Sequence, residues 1–137
     1  MASINNQETR IKQIESSLMT IKEFNKTLTV TAGQWTDTGI KISTGTYIVK
    51  INISTSSNGG SLWSETFSGI CSCYDSGTNS GVITEIPLTN AGHASNGRFI
   101  TFGFKRVGGN TGQQCFVISA NESFTDCPIQ FYFRKVL

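Results

Sequence analysis

The chain has 137 residues and a formal net charge of +2, with 15% charged residues. This length suffices for one domain with its own hydrophobic core. The basic residues are scattered, without the basic, aromatic-containing stripe that nucleic-acid binding requires, and no apolar run approaches the length of a membrane span. We therefore expect neither nucleic-acid binding nor stable membrane insertion.

A heptad pattern occupies the N-terminal stretch. With Ile4 at position a, the a and d positions are Ile4, Gln7, Ile11, Ile14, Leu18, Ile21, Asn25 and Leu28. Isoleucine at successive a and d positions favours more than two strands. We predict a trimeric coiled-coil stem over residues 1–26 whose helix ends near Asn25. Its trimer contacts are Ile4, Ile11, Ile14, Leu18 and Ile21.

Two alternatives to this interpretation stay open. A single amphipathic helix packed on its own domain gives a similar pattern, although the apolar stripe here is narrower than such a helix usually shows. The chain also opens in the middle of a heptad without a signal peptide, so we expect residues 1–3 to be partly of cloning origin and a longer coil to precede them in the full protein. Asn5 and Glu8 have a spacing like that of a capping box, so the helix could instead begin here.

The periodicity changes from helical to alternating at Thr27, and residues 27–137 are predicted to form a β knob. Short β-rich stretches separated by glycine- and asparagine-rich turns recur about every ten residues. They lie near residues 27–31, 40–42, 45–55, 61–74, 82–88, 98–105, 113–120 and 127–137. The spacing predicts about seven to nine strands in an antiparallel β-sandwich or jelly roll. The predicted fold class is mainly β, with an N-terminal trimeric coiled-coil stem that carries an antiparallel β-sandwich knob of the jelly-roll kind.

Two strands show the clearest alternation. The stretch 45–55 places Tyr47, Val49, Ile51 and Ile53 on one face, and the last stretch does the same with Ile129, Phe131 and Phe133. These residues are the expected core.

The four cysteines are Cys71, Cys73, Cys115 and Cys127. We expect buried free thiols, because free cysteine often packs as a small hydrophobe. Bridges from Cys71 or Cys73 to the other two are the alternative. The spacing does not match the usual zinc-binding patterns, so no metal site is expected.

No catalytic residue or cofactor is predicted. The only histidine, His93, lies in a loop without an apparent nucleophile partner, no pair of carboxylates is evident, and the 108–112 glycine-rich turn lacks the lysine of a phosphate loop. Binding therefore remains as the expected function. Candidate ligand-binding residues are Trp63, Tyr74, His93 and Arg98. The alternative is that Trp35 and Trp63 fill the core or an interface between heads.

The order of several motifs resembles the C-terminal knob of bacteriophage tail needle and tail fibre proteins. These motifs are 33–39 (GQWTDTG), 45–49 (GTYIV), 84–88 (TEIPL), 91–93 (AGH) and 98–100 (RFI). Residues 8–13 (ETRIKQ) also look like the needle coil of short-tailed phages. The resemblance covers most of the chain, and its TEIPL, AGH and RFI order is more specific than GTYIV.

This resemblance implies a homotrimer at the end of a virion tail appendage, made in the cytoplasm of a bacterial host. Its partner would be an outer-membrane protein or glycan of the host surface, contacted during attachment, penetration and genome delivery. It implies no enzymatic activity. A trimeric lectin-like, C1q-like or TNF-like binding module is the alternative function.

Overall fold

Two antiparallel β-sheets form the head of the protein. The computed structural model describes residues 6–13, 21–56, 62–73, 81–90, 99–107 and 113–136, apart from the side chains of 54–56 and 62–64. In these ranges a helix spans residues 6–13. It is followed by nine strands: β1 (Ile21–Val30), β2 (Thr36–Ser43), β3 (Gly45–Ser56), β4 (Leu62–Cys73), β5 (Ile83–Ile86), β6 (Thr89–Asn90), β7 (Ile100–Arg106), β8 (Gln113–Ala120) and β9 (Phe124–Lys135).

The last two strands of the chain occupy inner positions in the sheets. The first sheet has the order β1-β9-β3-β4-β6, and the second has the order β2-β8-β7-β5. Strand β9 therefore lies between β1 and β3, while β8 joins β2 to β7. The strand pairs β3–β4 and β7–β8 are consecutive antiparallel neighbours, as the turn-rich segments between them predicted.

The alternating residues of the strands form the core between the sheets. Tyr47, Val49, Ile51 and Ile53 of β3 are all buried, as are Ile129, Phe131 and Phe133 of β9. The predicted core faces of both strands are thus confirmed. Successive side chains of a strand point to opposite faces, so the residues of β3 and β9 that lie between these buried ones point away from the core.

An aromatic cluster joins the two sheets at Phe116, which is completely buried. From β8, its ring contacts Phe102 and Phe104 of β7 at centroid distances of 5.8 and 5.5 Å. It also contacts Phe131 and Phe133 of β9, in the opposite sheet, at 5.8 and 5.2 Å. Three of these four contacts are edge-to-face, an arrangement that aromatic rings favour.

The sandwich has two ends, which we name by the course of β1. The entry end is where β1 begins at Ile21, beside Arg134 of β9. The far end is where β1 finishes at Val30, beside Phe124.

The predicted helix is wrong for residues 21–26, which form the first part of β1. Ile21 pairs with Arg134 of β9 and is therefore not a coiled-coil residue here. The heptad would place Phe24 at a flanking g position, whereas the strand packs its ring against Phe133, with centroids 6.0 Å apart. Packing and pairing with β9 thus favour the strand, although the periodicity of the segment is ambiguous.

The helix at residues 6–13 is exposed at every position. Ile11, a predicted trimer contact, is 54% exposed. These eight residues therefore do not pack on the sandwich, so the alternative of a helix packed on its own domain does not hold for them. Ile4, Ile14 and Leu18 lie outside the described residues, and the division of the chain at residue 26 into two domains stays a prediction.

All four cysteines are free thiols, and Cys71, Cys73 and Cys127 are buried, as predicted. Burial, together with the neighbouring Cys73, raises the pKa of Cys71 to about 11. Cys115 is only half-buried. Burial and the Asp37 carboxylate raise the pKa of its thiol, against a smaller opposing effect of Lys41 and Lys105.

Replacing Phe116 by alanine is expected to lower the free energy of unfolding by about 3–5 kcal/mol, because it removes the ring that contacts both sheets. Urea denaturation followed by circular dichroism measures this change. Phe99→Ala is the matched control, because Phe99 is 72% exposed and its loss should change the stability by no more than about 0.5 kcal/mol. Similar losses for the two variants would contradict the central role of the cluster.

We expect one of the four thiols to react in the native protein, because the other three are buried. Iodoacetamide should modify Cys115 alone, slowly at pH 8, and the rate should still increase above pH 9, because the raised pKa delays formation of the reactive thiolate. Mass spectrometry should find four adducts only after unfolding. Cys115→Ser is the control and should take up no label when native. Two or more adducts on the native protein would contradict the burial of the other thiols.

Candidate contact surface at the far end

A tight turn at residues 31–34 begins the far-end surface. The Gln34 N–H donates to the Thr31 carbonyl over 3.1 Å, which closes a four-residue turn after β1. Its third residue, Gly33, has a φ of +77°. A turn with positive φ at this position strongly favours glycine, which explains the position of glycine in the sequence TAGQ.

The turn is bonded to the connection between β8 and β9. The Gly33 N–H donates to the Ala120 carbonyl over 2.9 Å, and the Ala32 N–H donates to the Ser123 hydroxyl over 2.9 Å. One of these bonds joins backbone to backbone and the other uses a side chain. Two loops that are about 90 residues apart in sequence are therefore held in one arrangement.

Phe99 lies on the other side of the β8–β9 connection. Its N–H donates to Asn121 Oδ1 over 2.8 Å, and the Asn121 N–H donates back to the Phe99 carbonyl over 3.1 Å. The Phe99 side chain is nevertheless 72% exposed, the largest exposed fraction among the described large hydrophobic residues. The structure thus fixes the backbone of an aromatic residue whose ring is free to contact a partner.

A bulge in β9 lies at the same end. Leu28 pairs with Cys127 and Val30 with Phe124, so two β9 residues lie opposite Thr29. One of them, Asp126, has a φ of 48°, and its N–H donates to the Thr29 hydroxyl over 3.1 Å. A left-handed conformation at a non-glycine residue costs of order 1 kcal/mol, but aspartate tolerates it better than most residues.

The far-end surface is therefore polar, aromatic and almost uncharged. We define it by residues 31–35, 99 and 121–123. Among these, Glu122 carries the only charge, Trp35 is half-buried and the others are exposed. Such a surface can stack on an apolar or sugar ring and form hydrogen bonds through backbone and amide groups. The chemistry that it offers is binding.

The predicted ligand-binding residues do not form one described site. Trp63 lies on β4 opposite Thr55 of β3, in the half of the strand nearer the far end. Cys73 lies at the other end of the same strand, ten residues away, which corresponds to about 33 Å. Trp63 thus shares no small-ligand site with the end of β4. Tyr74, His93 and Arg98 lie outside the described residues.

Sequence reasoning missed Phe99 and Asn121. The alternation of β7 contains a signal for the first. Phe102 and Phe104 are buried, and Phe99, just before the strand, precedes them by an odd number of positions, so continued alternation places it on the opposite face. Asn121 had no such signal, because its bonds to Phe99 join residues that only the β7–β8 pairing brings together.

Three further findings concern the chemistry and relationships of the chain. In the described ranges, no three His, Cys, Asp or Glu side chains are grouped so that they could hold a metal ion. No helix in the same part of the chain is long and apolar enough to cross a membrane. No known protein family, no curated protein and no solved structure matches the chain.

Asn121→Ala is expected to loosen the backbone at Phe99, because it removes the acceptor of the Phe99 N–H. A hydrogen bond of this kind contributes about 1 kcal/mol, so exchange of the Phe99 amide should become about 5-fold faster. Hydrogen exchange followed by NMR measures the change. Gln34→Ala is the control at the same end, since the turn uses the Gln34 backbone N–H. Equal exchange at Phe99 in wild type and Asn121→Ala would show that the bond does not hold this residue.

Proposed function

We propose that the protein is the trimeric distal tip of a phage tail needle or tail fibre, which contacts the envelope of a Gram-negative host during attachment, penetration and genome delivery. The observation that carries this proposal is the position of the far-end surface. It presents Phe99 at the end of the sandwich opposite the entry of the chain from the N-terminal helix. A tip that meets a host surface needs its contact residues at that end.

The N-terminal helix supports the trimer. Its described residues are exposed, and Ile11 lies at a predicted core position of the heptad. An isoleucine that does not pack on its own head is available to the helices of other copies. In a parallel trimer of such helices, Ile4, Ile14 and Leu18 supply the other core positions.

The order of the strands supports a jelly-roll knob on this stem. The first and last strands of the β region are neighbours, since β9 lies between β1 and β3, and β8 lies next to β2. Antiparallel jelly rolls are common in viral proteins and in lectins. A two-sheet head of this kind suits both the tail-tip function and the alternative binding module.

The far-end surface fits a protein or glycan of the outer membrane. Three copies on one rigid stem would present three Phe99 side chains together, so weak single contacts would add up to stable attachment. Among the described residues that define the far-end surface, Glu122 carries the only charge, which argues against a highly charged partner as the main target. The virion is accordingly the proposed location of the protein.

The mass of the full chain in solution tests the trimer. Light scattering after size-exclusion chromatography should give three times the chain mass of 14.9 kDa. The coil predicts that Ile11→Asp shifts this mass towards the monomer, because a charge at a core position is costly. A monomer mass for the wild-type chain at about 100 µM would contradict the tail-tip proposal.

Binding to cells tests the role of the far end. Fluorescently labelled wild-type chain should bind to at least one member of a panel of Gram-negative strains, and Phe99→Ala should weaken this binding at least 10-fold without changing the mass. Val82→Ala is the matched control, because Val82 is 47% exposed beside the entry end, where its carbonyl accepts the Arg106 N–H. Equal loss in both variants would contradict a contact surface at Phe99.

Glycan binding separates the alternatives. A trimer that binds glycans on an array but no bacterial cell would favour the lectin-like module, whose far-end aromatic residues would then stack on sugar rings. Release of reducing sugar ends would show an enzyme instead.

A further inference from the structure

A row of exposed isoleucines crosses the outer face of the five-stranded sheet. Ile21 of β1 pairs with Arg134 of β9, Arg134 pairs with Ile48 of β3, and Ile48 pairs with Ile70 of β4. The three isoleucines are 56%, 42% and 65% exposed. Neighbouring strands are about 4.8 Å apart, so the row is about 14 Å long. It extends from the β1 edge of the sheet to β4.

The next row towards the far end carries opposite charges. Glu23 of β1 pairs with Tyr132 of β9, which pairs with Lys50 of β3. The Lys50 ammonium lies over the Tyr132 ring, 6.0 Å from its centroid. The backbones of Glu23 and Lys50 are thus two strand spacings apart, about 10 Å, with Tyr132 between them.

The two rows make the β1 edge of the sheet complementary in polarity and charge to the middle of the same outer face. At the β1 edge an isoleucine, Ile21, is followed by an acid, Glu23. In the middle of the sheet an isoleucine, Ile48, is followed by a base, Lys50. The β1 edge of one copy therefore matches the middle of another, apolar row to apolar row and acid to base.

The position of the rows indicates which molecule fits them. Both rows lie at the entry end, where seven residues separate the described helix from the beginning of β1. In a parallel trimer of such helices, the entry end is the end of each head that is nearest to the stem in sequence. Single exposed isoleucines need no explanation, but three in one row, with Arg134 between Ile21 and Ile48, form an exposed surface that suits an interface between copies.

We propose that the outer face of the five-stranded sheet binds a second copy of this chain, with Ile21 and Glu23 of one copy against Ile48 and Lys50 of the next. This contact is head-to-tail, and in the proposed trimer three such contacts form a closed ring. The proposal rests on the proposed trimer and adds to it an interface between the heads. Ile70 and Arg134 extend the same contact on either side of Ile48.

Charge reversal in the full chain tests the acid–base match. Glu23→Lys and Lys50→Glu should each raise the concentration at which the trimer half-dissociates about 5-fold or more, because each places like charges at the contact. The double variant Glu23→Lys/Lys50→Glu should restore the wild-type value to within about 2-fold. Sedimentation velocity over a dilution series measures dissociation. Additive losses in the double variant would overturn the proposed pairing.

Ile48→Glu tests the apolar row independently. It should raise the half-dissociation concentration at least 10-fold, whereas the control Val82→Glu, at the residue before β5 of the other sheet, should change it less than 2-fold. Circular dichroism and protection of the buried thiols from iodoacetamide confirm that each variant is folded. If the wild type is a trimer and Ile48→Glu has the same half-dissociation concentration, this interface is overturned and the tail-tip proposal remains intact. A wild-type monomer would overturn both.

Discussion

The contact of Phe116 with both sheets is the interaction on which the rest of the structure depends. Phe116 belongs to β8 and contacts Phe131 and Phe133 of β9, so the two C-terminal strands hold the sheets together. The same strands pair with β1, β2 and β3 from the N-terminal half. Most of the packing is therefore between distant parts of the chain, and both sheets require the last strands to be in place.

The alternation that builds this core also produces the surfaces with proposed functions. Where Val49 and Ile51 point inwards, Ile48 and Lys50 must point outwards, so a regular strand places a second pattern on its outer face. The isoleucine row, the acid–base row and exposed Phe99 are all residues of this second pattern or of the adjoining loops. A binding tip at the far end and an interface between heads at the entry end are thus compatible with one undistorted core.

The beginning of β1 shows where local and tertiary preferences compete. From Ile21 to Leu28 a heptad and an alternating pattern coexist, because Ile21, Asn25 and Leu28 fit the first while Phe24 and Leu28 fit the second. The helix would leave Phe24 at its flank, whereas the strand places it on Phe133 and forms a ladder with β9. The partner strand lies about 100 residues later in the chain, so no local pattern could have decided between the two.

The sequence by itself determined the β class and the core faces of β3 and β9, because these follow from short-range alternation. It favoured buried free thiols but left disulfide bridges open, and the tertiary structure decided for the thiols. The sequence also contained the outward parity of Ile48 and Phe99. Only the tertiary structure decided which strands are neighbours. That order aligned Ile21, Ile48 and Ile70 in one row and joined Asn121 to Phe99. It also placed residues 21–26 in a strand, where the heptad had predicted a helix. The physical reason is the same in each case: strand register is a property of pairs of distant segments, and it decides which exposed side chains become neighbours.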